Sequence, residues 1–434
     1  MKYNIKRNNS FTFISILCFM VLLLFVFLYC FSDNKKENIS VTEFGAIGTD
    51  SKDDTKTIQK AIDQGEHNII YFPKGNYIIN SPLKIGSHIV LKLNKQAAII
   101  RNFKGLGSNN ATLTNKNYTG NSDITIIGGE LKARNSSFKG KSLSFWNVDG
   151  LNIYGTKFIG TFGDWTTTFR NCSDVNIYKV NIDTLSDQLY SDGLHFVGGK
   201  NIVISRCKIF SGDDSLSFTI ESNLDKKIQD VKVTDCYLKS RRSSVVKIYT
   251  KNRTKGKIEN IDFSNIKAIG GTKGSGQAVI LNDESGTNRI QNIRFTNVNI
   301  NSSNGAGYGT YINAIKNLKI KDYKIYNSDG TGIVIKNSKN VKIEYTKIAN
   351  PRNPKANGIS ILKSNSILLN KVEITDYKNM GILLQNTSLA TITNSKIEGI
   401  RDADVSIYSN SKYKLLKKVS NKENISISNN IVKR

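Results

Sequence analysis

Three aspartates on two adjacent repeats have the residue types for acid–base chemistry. Asp192 lies in Tyr190-Ser-Asp-Gly-Leu-His-Phe196, and Asp213 and Asp214 lie in Ser211-Gly-Asp-Asp-Ser-Leu-Ser-Phe218. Each segment is an acidic turn running into a short alternating strand. Asp192 stands four residues before Phe196 and Asp214 four before Phe218, so stacking the two segments sets these carboxylates side by side with Asp213 next to them. Like charges at that separation resist full ionisation, and one carboxyl keeps its proton. A protonated and an ionised carboxyl together are what glycosidic cleavage requires: an acid for the leaving oxygen and a base for water. A single Asp in a turn is ordinarily structural, accepting backbone N–H bonds. Three in register on consecutive coils argue for function.

Whether the segments stack depends on the elements around them, and the chain repeats. Its unit is a polar pair, an apolar residue, one further residue and a second apolar residue, as in Ser173-Asp-Val-Asn-Ile177, Lys200-Asn-Ile-Val-Ile204 and Gln229-Asp-Val-Lys-Val233. Anchored on Ile124, Leu151, Val175, Ile202, Val231, Ile261, Ile293, Leu318, Val341 and Ile367, the steps are 27, 24, 27, 29, 30, 32, 25, 23 and 26 residues. Such a period, made of short alternating strands, signals a solenoid. The leucine-rich-repeat pattern is absent, and propeller blades need about 40 residues. The expected fold is all-β: a parallel β-helix with one coil per repeat. Helical spacing of Ile58, Ala61 and Ile62 within 53–62 predicts an N-terminal capping helix, and a second helix is conceivable only at Tyr413–Val419.

A second strand precedes the first in each coil, by six residues where loops are short (Phe145, Phe169, Phe196) and by 13 where they are long (Phe218, Ile248, Ile280). These positions face inward. Side chains alternate along a strand, so Ser144, Thr168, His195, Ser217, Lys247, Val279, Tyr311 and Val334 form an outward column at roughly the 4.8 Å strand spacing. His195, Ser217 and Lys247 are then neighbours beside the carboxylates and are candidate substrate contacts. Trp165, four residues before Phe169, sits in the equivalent turn one coil earlier, where it can stack on a sugar ring or simply pack.

The composition fits such a domain. The 434 residues are 38% hydrophobic with only 4 prolines, which excludes a disordered or fibrous chain. A net charge of +27 favours anionic partners, although the lysines are spread evenly and no groove-reading element for nucleic acid appears. Cys172, Cys207 and Cys236 are spaced too widely for a zinc knuckle and read as buried thiols. No metal or cofactor is expected. Phe11 to Phe31 is uncharged and almost wholly apolar, and Lys2, Lys6 and Arg7 precede it. This predicts a cytoplasmic stretch 1–10, a transmembrane anchor 11–32, a tether 33–40 and a β-helix domain 41–434 outside the cytoplasm, at the cell surface or in the periplasm. A cleaved signal peptide, which would leave the protein secreted, fits less well because the run ends in bulky residues.

The acidic segments resemble glycoside hydrolase family 28, the polygalacturonase family of right-handed parallel β-helix enzymes. Gly212-Asp-Asp214 matches its G-D-D signature fully, and Tyr190-Ser-Asp-Gly193 keeps the Asp and Gly of its N-T-D-G signature. Phe44-Gly-Ala-Ile-Gly48 and Ile70-Tyr-Phe-Pro-Lys-Gly75 resemble the N-terminal part of pectate-lyase-like proteins. The resemblance implies Asp213 as general acid, Asp192 and Asp214 as water-activating residues, and inversion at the anomeric carbon. The family's G-H-G falls on Ser243-Ser-Val245 and its R-I-K on Val279-Ile-Leu281, so its His and both its cations are missing. Arg241, Arg242 and Lys247 lie near the same edge and can replace some of that charge. The expected function is hydrolysis of an extracellular or envelope polysaccharide other than plain polygalacturonate. The alternatives are a uronate lyase or epimerase and a non-catalytic glycan-binding β-helix.

Overall fold

Residues with two apolar side chains on one face of every short strand can bury them only if strand stacks on strand, and in the computed structural model they do. It describes residues 38–397 except 106, 108–109, 161–162, 271–276, 303–306, 354–355 and 378, together with the strands Ala403–Ser409, Lys414–Val419, Ile425–Ser428 and Ile431–Lys433. Successive coils pair in parallel, with Leu151 opposite Ile124 and Val175, then Ile202, Val231, Ile261, Ile293, Leu318, Val341 and Ile367 in one unbroken column. Every one of these side chains is buried. A second column runs Phe145, Phe169, Phe196, Phe218 and Ile248.

The polar residue before each anchor has a conformational purpose. Asp123, Gly150, Asp174, Asn201, Asp230, Asn260, Asn292, Asn317 and Asn340 all have φ between 52° and 76°. This left-handed corner turns the chain from one strand into the next, and Asn, Asp and Gly enter it at least cost. The corner side chains also bond between coils: Asn292 Nδ2 donates to Asn260 Oδ1 (3.0 Å), Asn317 Nδ2 to Asn292 Oδ1 (2.9 Å) and Asn340 Nδ2 to Asn317 Oδ1 (3.0 Å).

The capping helix spans Thr55–Gln64 and buries Ile58, Ala61 and Ile62 on the first coil. Three expectations are corrected. After the long loops the register slips by one residue: Leu281, not Ile280, stacks on Ile248, and Ile280 lies beside Lys247 while Val279 is buried. The turn after Asp283 is one residue shorter than its two predecessors, which spacing alone did not reveal. Lys414–Val419 is a strand paired antiparallel with Ala403–Ser409, not a helix. Membrane anchoring is not upheld: Phe11–Phe31 lies outside the described residues, and among those described no helix is long and apolar enough to cross a membrane. Cys172, Cys207 and Cys236 are free and buried; Cys18 and Cys30 lie outside the described residues.

Candidate active site

Stacking of Leu194–Ser205 on Leu216–Ile220, with His195 opposite Ser217 and Phe196 opposite Phe218, brings the two acidic turns together. Gly193 N–H donates to the Asp214 carbonyl (2.8 Å) and Asp214 N–H to Asp192 Oδ1 (3.3 Å), so the turns are tied by backbone as well as by register. One carboxylate oxygen from each of Asp192, Asp213 and Asp214 lies within 4.8 Å of the others.

The three carboxyls have different surroundings. Asp192 is buried; its Oδ2 lies 2.7 Å from His195 Nδ1 and accepts from Ser217 Oγ at 3.2 Å. Burial, then the Asp214 charge, lifts its pKa well above the carboxylate range. Asp214 is buried too, paired with the Lys247 ammonium at 3.0 Å and accepting from Ser244 N–H at 3.0 Å. Burial pushes Lys247 down, but the Asp214 and Asp192 charges outweigh it and hold the ammonium more basic than usual. Asp213 is only partly buried and accepts from Tyr190 N–H at 2.8 Å. Burial, with Asp192 and Asp214 nearby, raises it to about 6. The protonatable carboxyl that a solvent-side substrate reaches is therefore Asp213. The protons of the cluster belong to the group as a whole, because its members interact strongly.

His195 and Ser217 do not lie on an exposed surface as expected; both are buried. Trp165 lies over the His195 ring with centroids 3.7 Å apart, and Lys141 stands over Trp165 at 5.1 Å while pairing with Asp164. Arg101, wholly buried, holds that loop by donating to the carbonyls of Lys141 (2.5 Å) and Phe138 (2.9 Å). The loops of preceding coils thus fold over the strand face, which is why the alternation rule gave the right face but the wrong exposure. Burial, then Lys247, drives the His195 pKa down to about 3, so the imidazole is neutral at ordinary pH. Its Nε2 lies 2.9 Å from Thr219 Oγ1. Thr219 was missed, although it falls on the same face two residues after Ser217. Lys141 and Asp164 had no signal in the spacing.

Lys247 does reach the carboxylates, but Arg241 does not. Its guanidinium bonds Asp183 Oδ1 (2.8 Å) and the Phe210 carbonyl (3.0 Å), a brace between coils. Arg242 is held through its backbone N–H to Ser240 Oγ (3.3 Å), and among the described residues no ion pair joins it to the cluster. Ser217→Ala removes a hydrogen bond to a buried carboxyl and is expected to cost about 1–2 kcal/mol, readable as a lowered denaturant midpoint at unchanged slope.

Comparison with known proteins bears on the fold. Residues 38–204 match the family model described as rhamnogalacturonase A/epimerase, pectate lyase-like, and residues 308–434 match the right-handed β-helix region model. Over 185 residues the chain is 26% identical to plasmin and fibronectin-binding protein A of Streptococcus pneumoniae, a match covering 39% of this chain and 24% of that protein. The chain therefore spans about a quarter of that relative's length. Among solved structures, the surface adhesin PfbA of the same organism aligns with a TM-score of 0.60 at 15% identity, over 92% of this chain and 98% of that one. The family 28 exopolygalacturonase of Yersinia enterocolitica aligns at 0.56 and 12%, over 87% and 78%, and the A-module of the Azotobacter vinelandii mannuronan C-5 epimerase AlgE6 at 0.55 and 13%, over 85% and 95%. At these identities the shared property is architecture, and the chain adopts the pectate-lyase-like, right-handed parallel β-helix fold.

Proposed function

We propose that the chain is a glycan-cleaving β-helix enzyme in which Asp213 donates the proton to the leaving oxygen and the Asp192–Asp214 pair activates water through Asp214, the member paired with Lys247. The observation that carries this reading is the division of labour within one cluster: a partly exposed carboxyl raised to about 6 beside a buried carboxyl pinned to an ammonium. Lys247 holds Asp214 in place, and the neutral His195 orients Asp192. Inversion rests on the family resemblance. The closest carboxylate oxygens lie within 4.8 Å, below the roughly 6.5–9.5 Å that usually leaves room for a water between two carboxyls. The absence of the family's His and Arg/Lys pair supports a substrate other than plain polygalacturonate. The setting we propose is extracellular, as for the surface adhesin.

A second reading is supported by a specific observation. Asp192, Asp214 and His195 are buried and fully engaged with their neighbours, as structural groups are, and one similar protein is named for binding plasmin and fibronectin. Under that reading the chain binds a glycan or protein without turnover. Incubating the protein with a glycan panel separates the possibilities. Hydrolysis gives new reducing ends, elimination gives an ultraviolet-absorbing unsaturated sugar, and an adhesin gives saturable binding with neither. We expect reducing ends on at least one acidic or neutral glycan and little release from polygalacturonate.

A further inference from the structure

Away from the carboxylates, one pair of coils breaks the charge rule that the rest of the molecule follows, on three segments divided by the left-handed corners at Asn317 and Asp322 on one coil and Asn340 and Tyr345 on the next. Where charged side chains face one another between coils, they generally alternate in sign. Lys157 stands opposite Glu130, Arg294 opposite Asp262 and Lys347 opposite Glu373, each with a salt bridge. Between strands Ile315–Tyr326 and Lys339–Ala349, lysine stands opposite lysine three times: Lys316 and Lys339, Lys319 and Lys342, Lys324 and Lys347. Arg294 of the preceding coil stands opposite Lys319, which makes Arg294, Lys319 and Lys342 a straight row on three successive coils. Like charges directly opposite in a sheet are unfavourable. Lys316, Lys319, Lys324 and Lys339 are exposed, and among the described residues no salt bridge offsets them, whereas Arg294, Lys342 and Lys347 pair at the surface with Asp262 (3.7 Å), Glu344 (3.0 Å) and Glu373 (2.6 Å), contacts that are worth little in water. The two strands carry seven lysines against Asp322 and Glu344. A lysine-rich composition scatters charge; it does not account for three in-register pairs in one strand pair.

We infer that the row Arg294–Lys319–Lys342, with the Lys316–Lys339 pair beside it across the corner at Asn317 and Asn340, is a docking surface for a linear anionic polysaccharide lying along the helix axis. Stacked coils present one cation per roughly 4.8 Å strand spacing, a regular straight row suited to a chain with acidic groups at regular intervals. One exposed aromatic, Tyr345, stands beside the row with the Lys321 and Lys371 ammoniums over its ring (5.7 and 4.8 Å), whereas single-stranded nucleic acid is held by a succession of such rings. The surface belongs to other strands and later coils than the carboxylates, so it does not depend on whether those are catalytic. It would hold polymer on the protein whether or not a bond is cut.

The test is binding of the full chain to fluorescent heparin and to polygalacturonate, with neutral dextran and a poly(dT) oligonucleotide as comparators. We expect salt-sensitive binding to both acidic glycans and none to dextran. The variant Arg294→Gln/Lys316→Gln/Lys319→Gln/Lys339→Gln should weaken glycan binding by about tenfold or more. Lys52→Gln/Lys56→Gln/Lys74→Gln/Lys95→Gln, an equal charge change at exposed sites elsewhere, should weaken it by less than about twofold. If the first variant melts early, Lys316→Gln/Lys319→Gln replaces it, with an expected loss of about threefold. Equal losses in both charge variants, absence of binding by the full chain, or tighter binding to poly(dT) would each overturn the inference.

Discussion

Replacing Asp213 by Asn is expected to lower turnover on a responsive glycan by about 10²–10⁴-fold, the usual worth of general acid catalysis. The amide keeps an oxygen to accept the Tyr190 N–H bond and is nearly isosteric, so the fold should survive. The pH dependence follows from the same residue. A proton donor raised to about 6 is present below that value and lost above it, so wild-type turnover should fall as pH rises through about 6. Stability moves in the same direction. The folded state holds this proton more tightly than an unfolded Asp at about 3.9, so the contribution is complete below the unfolded value and disappears as pH rises through about 6. Asp213→Asn carries no such charge, and its melting temperature should equal or exceed that of wild type at pH 7–8. Initial rates and thermal melts across pH 4–8 measure both effects. Wild-type-like turnover in the variant would place the chemistry elsewhere.

The coil register was almost entirely legible because it is physically over-determined. Each anchor must point inward, and a slip of one residue would turn a whole apolar row into solvent. All ten anchors from Ile124 to Ile367 fall in one column for that reason. Where the constraint relaxes, legibility ended. The slip at Leu281 occurs after a surface turn, whose length no interior side chain dictates. The corner residues were visible only as part of the polar pair before each anchor, and their left-handed conformation and inter-coil bonds required coordinates.

For the site, spacing located the carboxylates and Lys247 together, because equal offsets on stacked coils become contacts. Exposure was not legible. Whether an outward-pointing residue meets water depends on loops from other coils, here the Asp164–Trp165 turn over His195 and the Lys141 turn that packs on it. Arg241 illustrates the same limit from the other side. It was expected to add charge beside the carboxylates, but a guanidinium reaches several ångströms, and Asp183 on an earlier coil takes it. Proximity in sequence ranks candidates for charge placement, while competition among partners assigns them.

The second large effect expected is structural, and it tests how the interior supports the site. Phe196 follows His195 directly and points the opposite way, into the solenoid, where it is wholly buried between Phe169 (centroids 4.9 Å) and Phe218 (5.3 Å, nearly parallel). The three rings occupy one column on three coils, and the coils above and below are those bearing Trp165 and the Asp213–Asp214 turn. Phe196→Ala removes a ring that the closely packed neighbours cannot collapse to replace, and should cost about 3–5 kcal/mol. In a solenoid each coil is stabilised chiefly by its neighbours, so the loss should concentrate at coils 169–218 rather than spread along the domain. Hydrogen exchange should therefore quicken first in strands Thr167–Tyr178, Leu194–Ser205 and Leu216–Ile220. Denaturant unfolding of Phe196→Ala beside Ser217→Ala provides the measurement, the first expected to lose at least about twice as much as the second. Equal losses, or faster exchange confined to the C-terminal coils, would show that the phenylalanine column is not what fixes the spacing of the carboxylates.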